Sequence, residues 1–319
     1  DNEAVFDASL GIKVYRVPLK KLRWLMYIKR IQLTLKLLQQ QDVAIMSGKF
    51  PLWLGGVLSR FYACKWVAII HGSEVNYTQQ LFRNTVNWSL KQFDEIIAVS
   101  HYTKGLVSDL NVKRINVIPN GFNPSHWLGM DTEQKTLKGN PCLLTVGNVT
   151  ERKGQLQVVR QLPTVLKRYP EAHYHCVGFP TEKARVLEEA KHFGIEDQLT
   201  FHGHVSHEAL CQFYRAADIF VMLSTETQSG DVEGFGIAIL EANYFGLPAI
   251  GSKGFGITDA IVEGETGRLI DAQNNHQALV QALQGIWEEQ EAYQKAARLW
   301  AEKHDWKKVV QNYINVIEA

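Results

Sequence analysis

Cysteine is scarce. Cys64, Cys142, Cys176 and Cys211 are the four in 319 residues, and no two stand as a C-x-x-C pair. Three lie in or beside apolar runs, so buried free thiols in a reducing compartment are expected rather than a disulfide scaffold. No apolar stretch approaches the ~20 residues that span a bilayer. The opening Asp1-Asn2-Glu3 lacks the basic-then-apolar pattern of a secretory leader. The expected location is therefore cytoplasmic, free or peripheral on the inner face of the membrane. Charge of one sign is also lacking: 34 Lys and Arg face 33 Asp and Glu. A general nucleic-acid binder would show a basic excess, so no nucleic-acid partner is expected. There is no Asp-x-Asp triplet. His202, His204 and His207 have ligand-like spacing, but no Cys or Asp completes a shell, so no metal site is expected. Gly254-Phe255-Gly256 lacks the rest of a dinucleotide fingerprint.

Apolar residues make up 45% of the chain and charged residues 21%, a soluble balance with enough apolar material for two cores. At ~100–200 residues each, the length suggests two domains. Short apolar runs alternate with helical patterns throughout. Strands are expected at Ile12–Val17, Val43–Met46, Trp66–Ile70, Glu95–Val99, Asn116–Ile118, Cys142–Val146, Ala172–Val177, Leu199–His202, Ile219–Leu223, Ala249–Gly251 and Gly267–Ile270. Helices are expected at Val158–Tyr169 and Thr181–Phe193 among others. Near-continuous apolar strands separated by helices imply parallel sheets covered on both faces. The fold class is α/β, with two doubly wound domains and a cleft between them. The Pro- and Gly-bearing stretch Pro119–Leu137 marks the boundary, giving residues 1–125 and 126–301. A final stripe of Trp306, Val309, Val310, Tyr313 and Ile314 places a helix in 302–319. It packs back on the first domain or lies at the solvent edge of the second.

The strongest chemical signal is Glu233-Gly234-Phe235-Gly236-Ile237, followed by an apolar helical run to Glu241. Its glycines let backbone N–H groups approach a ligand, and a helix N-terminus attracts hydroxyls or phosphate. The plainer reading is a capping Glu and an unrelated surface Glu. Gly147-Asn148 through Arg152-Lys153-Gly154 follows the strand Cys142–Val146. Two cations on a strand-to-helix turn could clamp a diphosphate, and a solvated basic turn is the alternative. His71 ends the strand Trp66–Ile70, where function gathers in α/β sheets; a capped loop residue fits equally. Pro119-Asn120-Gly121 reads as a hinge turn. Lys20, Lys21, Arg23, Lys29 and Arg30, interleaved with Leu22, Trp24, Leu25, Met26, Tyr27 and Ile28, read as a covering helix or as a membrane-surface helix.

Together these segments resemble the large GT-B family of retaining glycosyltransferases. Glu233 and Glu241, with seven residues between them and Gly-Phe-Gly inside, are similar to its donor-site signature. Val146-Gly147 through Gly154 is similar to its phosphate turn. Gly203-His204-Val205 through Leu210, with Tyr214-Arg215-Ala216-Ala217-Asp218, is similar to its nucleobase-side segment. Phe245 to Ile250, Gly264-Glu265-Thr266-Gly267 and Val99-Ser100 complete the ordered set.

The resemblance implies the following roles. Glu233 and the amides of Gly234, Phe235, Gly236 and Ile237 would hold the donor sugar, and Glu241 the ribose. Arg152 and Lys153, with Gly147 and Asn148, would hold the diphosphate, and His204 and Val205 the base side. His71 would lie near the reacting sugar and acceptor. A nucleoside-diphosphate sugar would be the donor and a glycan or lipid the acceptor, with no cofactor and no metal. Two departures stand out. Asn148 sits where many members carry Arg. The strand, Gly-rich loop and helix that open the first domain in the family, on the order of 40–60 residues, are not matched before Ile12. The first domain is therefore expected to be incomplete, and a donor-binding but inactive module competes with an active transferase. A sugar-nucleotide epimerase is a further alternative. A hydrolase using Glu233 and Glu241 is disfavoured. Such an acid–base pair stands ~5–9.5 Å apart, whereas residues eight apart on a helix stand ~12 Å apart along its axis.

Overall fold

Runs of Val, Ile, Leu and Ala too short for helices alternate with longer segments of three-to-four apolar spacing. Such strands pair in parallel because the helices carry the chain back across the sheet. The computed structural model describes residues 2–19, 21–129 and 135–319. Lys20 and part of the expected boundary stretch, residues 130–134, lie outside the described residues.

The first domain runs α1 (Asn2–Ser9), α2 (Arg23–Leu38), β1 (Val43–Ser47), α3 (Lys49–Leu58), β2 (Lys65–Ile70), α4 (Gln80–Leu90), β3 (Glu95–Ala98), α5 (His101–Gly105) and β4 (Ile115–Val117). Its four strands are parallel in the order β1-β2-β3-β4. The second domain runs β5 (Cys142–Val146), α6 (Gln155–Arg168), β6 (His173–Val177), α7 (Lys183–Phe193), β7 (Leu199–Gly203), α8 (His207–Ala216), β8 (Ile219–Met222), α9 (Ile237–Tyr244), β9 (Ala249–Ser252), β10 (Gly267–Ile270), α10 (Ala278–Glu288) and α11 (Gln290–Lys303). Its strands are parallel in the order β10-β9-β8-β5-β6-β7. The chain ends in α12 (Trp306–Glu318).

Both sheets are packed on two faces, as the apolar runs require. Adjacent Leu143 and Leu144 of β5 enter opposite clusters, one with Val158, Val159 and Leu162 of α6, the other with Ile239 and Leu240 of α9. In the first sheet Trp66, Ala68 and Ile70 face one side and Val67 the other. That second face is closed by α12, whose Val309, Tyr313, Val316 and Ile317 pack with Val67, Ile97 and Ile118. Lys65 Nζ donates to the carbonyls of Val316 and Ile317 at 2.8 and 2.9 Å, a cation at a helix C-terminus. The expected stripe is thus shifted: Trp306 and Val310 are 39% and 42% exposed.

The segment Ile12–Val17 is not a strand. It has no sheet partner among the described residues, and Arg16 reaches instead to Asp7 of α1 through two 2.6 Å hydrogen bonds. No disulfide forms among the described residues, and Cys142, Cys176 and Cys211 are buried. Burial pushes the Cys142 and Cys176 thiols up to about 12, which keeps them protonated.

The packing of α12 has a measurable signature. Val309→Ala removes two buried carbons and should lower stability by about 2 kcal/mol. Val310→Ala, one residue away on the exposed side, should change it by less than about 0.5 kcal/mol. Equal midpoints for the two variants in urea denaturation would mean that α12 does not close this sheet.

Candidate functional site

From β5 the chain moves outward through β6 and β7, then returns to place β8 on the other side of β5. The carboxyl ends of β5 and β8 therefore open a crevice, where open α/β sheets bind ligands. The turn after β5 holds Gly147 to Gly154, and the loop after β8 runs to Gly236. These two segments are locked together. Gly154 has φ +76°, and a Cβ there would stand 1.8 Å from the Leu223 carbonyl oxygen. Thr225 N–H donates to the Arg152 carbonyl at 3.2 Å, and Thr225 Oγ1 to the Glu151 carbonyl at 2.8 Å.

This lock brings the sequence-predicted charges together. Lys153 Nζ lies 2.8 Å from Glu233 Oε2, and Arg152 Nη1 donates to the same oxygen. Arg152 Nε also lies 3.2 Å from Asp231 Oδ2. The side chains of Lys153 and Glu233 are only 15% and 11% exposed, so their pairing is far less screened than that of surface ions. Beside them α9 begins at Gly236 without a side-chain cap. Its first N–H groups are thus available to a ligand.

The opposite wall comes from the first domain. A cavity of ≈ 390 Å³ is lined by His71 and Asn120 from that side and by Arg152, Lys153, Glu233 and the Gly234–Ala238 backbone from the other. Gly234 lies so close to the His71 carbonyl that a Cβ would stand 1.7 Å from its oxygen. Ser73 Oγ donates to the Asp231 carboxylate, Asn76 Nδ2 to Glu226 Oε1 at 2.8 Å and to the Gly230 carbonyl at 3.0 Å. His71 Nε2 shares a 3.0 Å hydrogen bond with Ser47 Oγ at the end of β1. Asn120, read from sequence as part of a hinge, therefore belongs to the cavity wall.

Other expected residues lie outside this cavity. Glu241 is on α9, half-buried, and accepts a 2.9 Å hydrogen bond from the Tyr214 hydroxyl. Burial raises its carboxyl above the ordinary value. The Tyr214 hydrogen bond and the charges of His207 and Lys153 pull it back only in part. Glu233 lines the cavity and Glu241 does not, its carboxylate being bonded to Tyr214 of α8. Asn148 lines a neighbouring cavity of ≈ 440 Å³ that shares Arg152 and Lys153. The backbone of Gly147 lies under the Lys153 side chain, with a Cβ position 3.2 Å from Lys153 Cε. His204 is exposed and stacks on Phe179, centroids 4.9 Å apart, while Val205 is packed into the second domain's core. His202 bonds His175 at 2.9 Å, and burial lowers it to about 4, so it is a neutral imidazole. Among the described residues no group of three or more His, Cys, Asp or Glu could hold a metal ion.

Sequence reasoning missed Asp231, Ser73 and Phe179, and it named Tyr214 without its bond to Glu241. Asp231 stands two residues before Glu233, and Tyr214 lies inside a segment already singled out, so both were within reach.

Residues 131–301 match the family described as glycosyl transferases group 1, and residues 2–126 match glycosyltransferase family 4. Among curated proteins, the chain is 26% identical over 239 residues to a GDP-mannose-dependent alpha-(1-6)-phosphatidylinositol monomannoside mannosyltransferase of Mycolicibacterium smegmatis, covering 68% of this chain and 60% of that one. It is 24% identical to a glycogen synthase of Mycobacterium tuberculosis, covering 79% and 62%. The chain thus spans about three-fifths of the length of these relatives. Among solved structures, a glycosyltransferase from Rickettsia africae superposes with TM-score 0.79 at 19% identity, covering 99% of this chain and 86% of that one. Anabaena HepE in complex with UDP-glucose gives 0.76 at 19%, covering 100% and 89%. These likenesses show the fold: two Rossmann-like parallel-sheet domains of the GT-B type.

The raised Glu241 carboxyl makes a stability prediction. Its folded value lies above the ordinary 4.5, so the native state holds its proton more tightly than the unfolded chain. Its ionisation therefore costs stability as pH rises from about 4.5 through the folded value. Glu241→Gln, which still accepts from Tyr214, should raise the melting temperature at pH 8, and the gain should shrink toward pH 4.5. A melting temperature lowered at pH 8 would contradict this account.

Proposed function

The chain belongs to the glycosyl transferases group 1 family, and from that premise we propose that it is a retaining, hexosyltransferase-like enzyme. It moves a sugar from a nucleoside diphosphate to a glycan or lipid acceptor in cell-surface polysaccharide or glycolipid biosynthesis. Residues 1–125 supply the acceptor side and 126–301 the donor side. The observation that carries the reading is the single carboxylate oxygen of Glu233, held by both Arg152 and Lys153 beside the uncapped start of α9. The names of the relatives support the donor class: one uses GDP-mannose and one structure holds UDP-glucose. They also support the acceptor classes, a phosphatidylinositol mannoside and glycogen.

In this reading the donor diphosphate takes over Arg152 and Lys153, and Gly147 and Asn148 let it approach the turn. Glu233, released from the cations, accepts hydrogen bonds from sugar hydroxyls, aided by the amides of Gly234, Phe235, Gly236 and Ile237. Glu241 binds the ribose by exchanging its Tyr214 contact. His204 and Val205 flank the base, with Phe179 as its stacking surface. His71 stands where sugar and acceptor meet. The acceptor hydroxyl attacks the anomeric carbon on the face from which the diphosphate leaves. The carbon–oxygen bond to phosphate breaks, the new glycosidic bond forms, and the departing phosphate takes the acceptor proton. Arg152 and Lys153 supply the charge a metal would otherwise bring, so no metal or other cofactor is needed. The enzyme is placed in the cytoplasm, with Lys21 and the Arg23, Lys29 and Arg30 of α2 as a peripheral contact with the inner face of the membrane.

Incubation with radiolabelled sugar nucleotides, read for binding, hydrolysis and transfer to lipid or glycan extracts, tests the activity. Binding without turnover would favour a donor-binding inactive module, and interconversion of the sugar alone an epimerase. Negative charge builds on the diphosphate as the bond breaks. A preplaced cation therefore stabilises the transition state more than the bound donor. Lys153→Ala should cut turnover about 100-fold or more, with less effect on donor affinity, and Arg152→Ala should lose less. Near-parent turnover in Lys153→Ala would show that the phosphate lies elsewhere.

The two glutamates should separate by ligand in calorimetry. Glu241→Ala should weaken nucleoside diphosphate itself, whereas Glu233→Ala should impair only the intact sugar nucleotide. Equal losses for both ligands in both variants would overturn the assignment. Donor binding that vanishes in chelator and returns with magnesium or manganese would overturn the metal-free reading.

A further inference from the structure

Charge is distributed very unevenly along this neutral chain. Residues 8–93 hold thirteen Lys and Arg against two acids, Asp42 and Glu74. Glu74 is buried and accepts from the His71 N–H, so it does not offset the surface. Helices α2, α3 and α4 contain no acidic residue at all. They pack against one another on the first domain. Tyr27 of α2 meets Phe50 of α3 with ring centroids 4.6 Å apart, and Trp53 of α3 meets Phe82 of α4 at 6.1 Å.

Between α3 and α4 lies a groove of ≈ 560 Å³ whose walls are almost wholly apolar, formed by Trp53, Val57, Leu81, Phe82 and Trp88. Leu81 is 74% exposed, and Val57, Phe82 and Trp88 each over 40%. The residues Lys49, Arg60, Arg83 and Lys91, at or near the ends of these two helices, are all exposed. Aromatic and aliphatic side chains ringed by cations suit the boundary between charged headgroups and acyl chains. A protein partner would present acids at particular points. Three neighbouring helices without one acid instead suit a continuous anionic sheet.

We propose that the α3–α4 groove is a bilayer-docking site. Leu81, Phe82 and Trp88 enter the headgroup–acyl boundary of a membrane rich in anionic phospholipid, and Arg83 and Lys91 meet its phosphates. The site is separate from the α2 contact and from the donor cleft, and it stands whether or not sugar is transferred.

The test is flotation of the full chain with phosphatidylcholine vesicles, with and without phosphatidylglycerol. Binding should require the anionic lipid and weaken with added salt. Leu81→Gln with Trp88→Gln should weaken it by about tenfold or more, as should Arg83→Glu with Lys91→Glu, while circular dichroism stays unchanged. Three results would overturn the proposal: equal binding to both vesicle types or to neither, parent-like binding of the groove variant, or loss confined to Lys29→Glu with Arg30→Glu. Self-association without lipid that the groove variant abolishes would assign the face to a second copy and equally overturn it.

Discussion

One oxygen atom organises the crevice. Glu233 Oε2 receives both Arg152 and Lys153, two half-buried cations, and Arg152 has Asp231 as a further partner. At ~4 Å and an effective dielectric of about 20, one such pair is worth roughly 4 kcal/mol before desolvation is subtracted. Removing one partner of a buried pair costs about 3–5 kcal/mol because the other is stranded. The arrangement depends on backbone that carries no side chain. A Cβ at Gly154 would overlap the Leu223 carbonyl, and one at Gly234 the His71 carbonyl. Those contacts set the height of the turn after β5 and of the loop after β8, and hence the reach of the three charges.

The same loop joins the site to the seam between the domains. Asp231 contacts Arg152 on one side and Ser73 of the first domain on the other. Asn76 binds the loop again through Glu226 and Gly230, and His101 binds Asp259 at 2.8 Å farther along the seam. On the proposed reading, a diphosphate that engages Arg152 competes with Asp231, which also bonds Ser73 of the first domain, so site occupancy and domain seating share one guanidinium.

Most of this fold was legible because buried parallel strands read as short unbroken apolar runs, and ten of the expected strands coincide with β1–β10 within a residue or two. Ile12–Val17 has the same local look but pairs with no strand among the described residues, and a local pattern carries no information about neighbours. The stripe on α12 was misread for a related reason. Val316 and Ile317 are partly buried by the first sheet, whose Lys65 lies 251 and 252 residues away in sequence. The charges of the site were legible as residue types at a strand-to-helix turn. Their pairing was not, because Asp231 and Tyr214 act through hydrogen bonds that only packing creates. The exposed stack of Phe179 on His204 joins two loops that are adjacent only in space.

The chain-wide charge of +1 concealed the most informative electrostatic feature. Without residues 8–93 the remaining chain carries 21 Lys and Arg against 31 acids, the totals of 34 and 33 less thirteen and two. Within that remainder, residues 126–301 carry 15 Lys and Arg against 22 acids, so on the proposed reading an anionic donor approaches a second domain of unfavourable net charge. Exposed charges are screened within about 8–10 Å at physiological ionic strength, so long-range attraction contributes little to donor capture. On the proposed reading, donor affinity rests on short-range contacts with Arg152, Lys153 and the start of α9, in a crevice already neutralised by Glu233 and Asp231. The excess of positive charge lies instead on α2, α3 and α4 of the first domain, which contain no acid. On the two proposals together, anion binding is divided in space: the half-buried, paired cations Arg152 and Lys153 act over a few ångströms, and the exposed face of α2, α3 and α4 acts over about a Debye length.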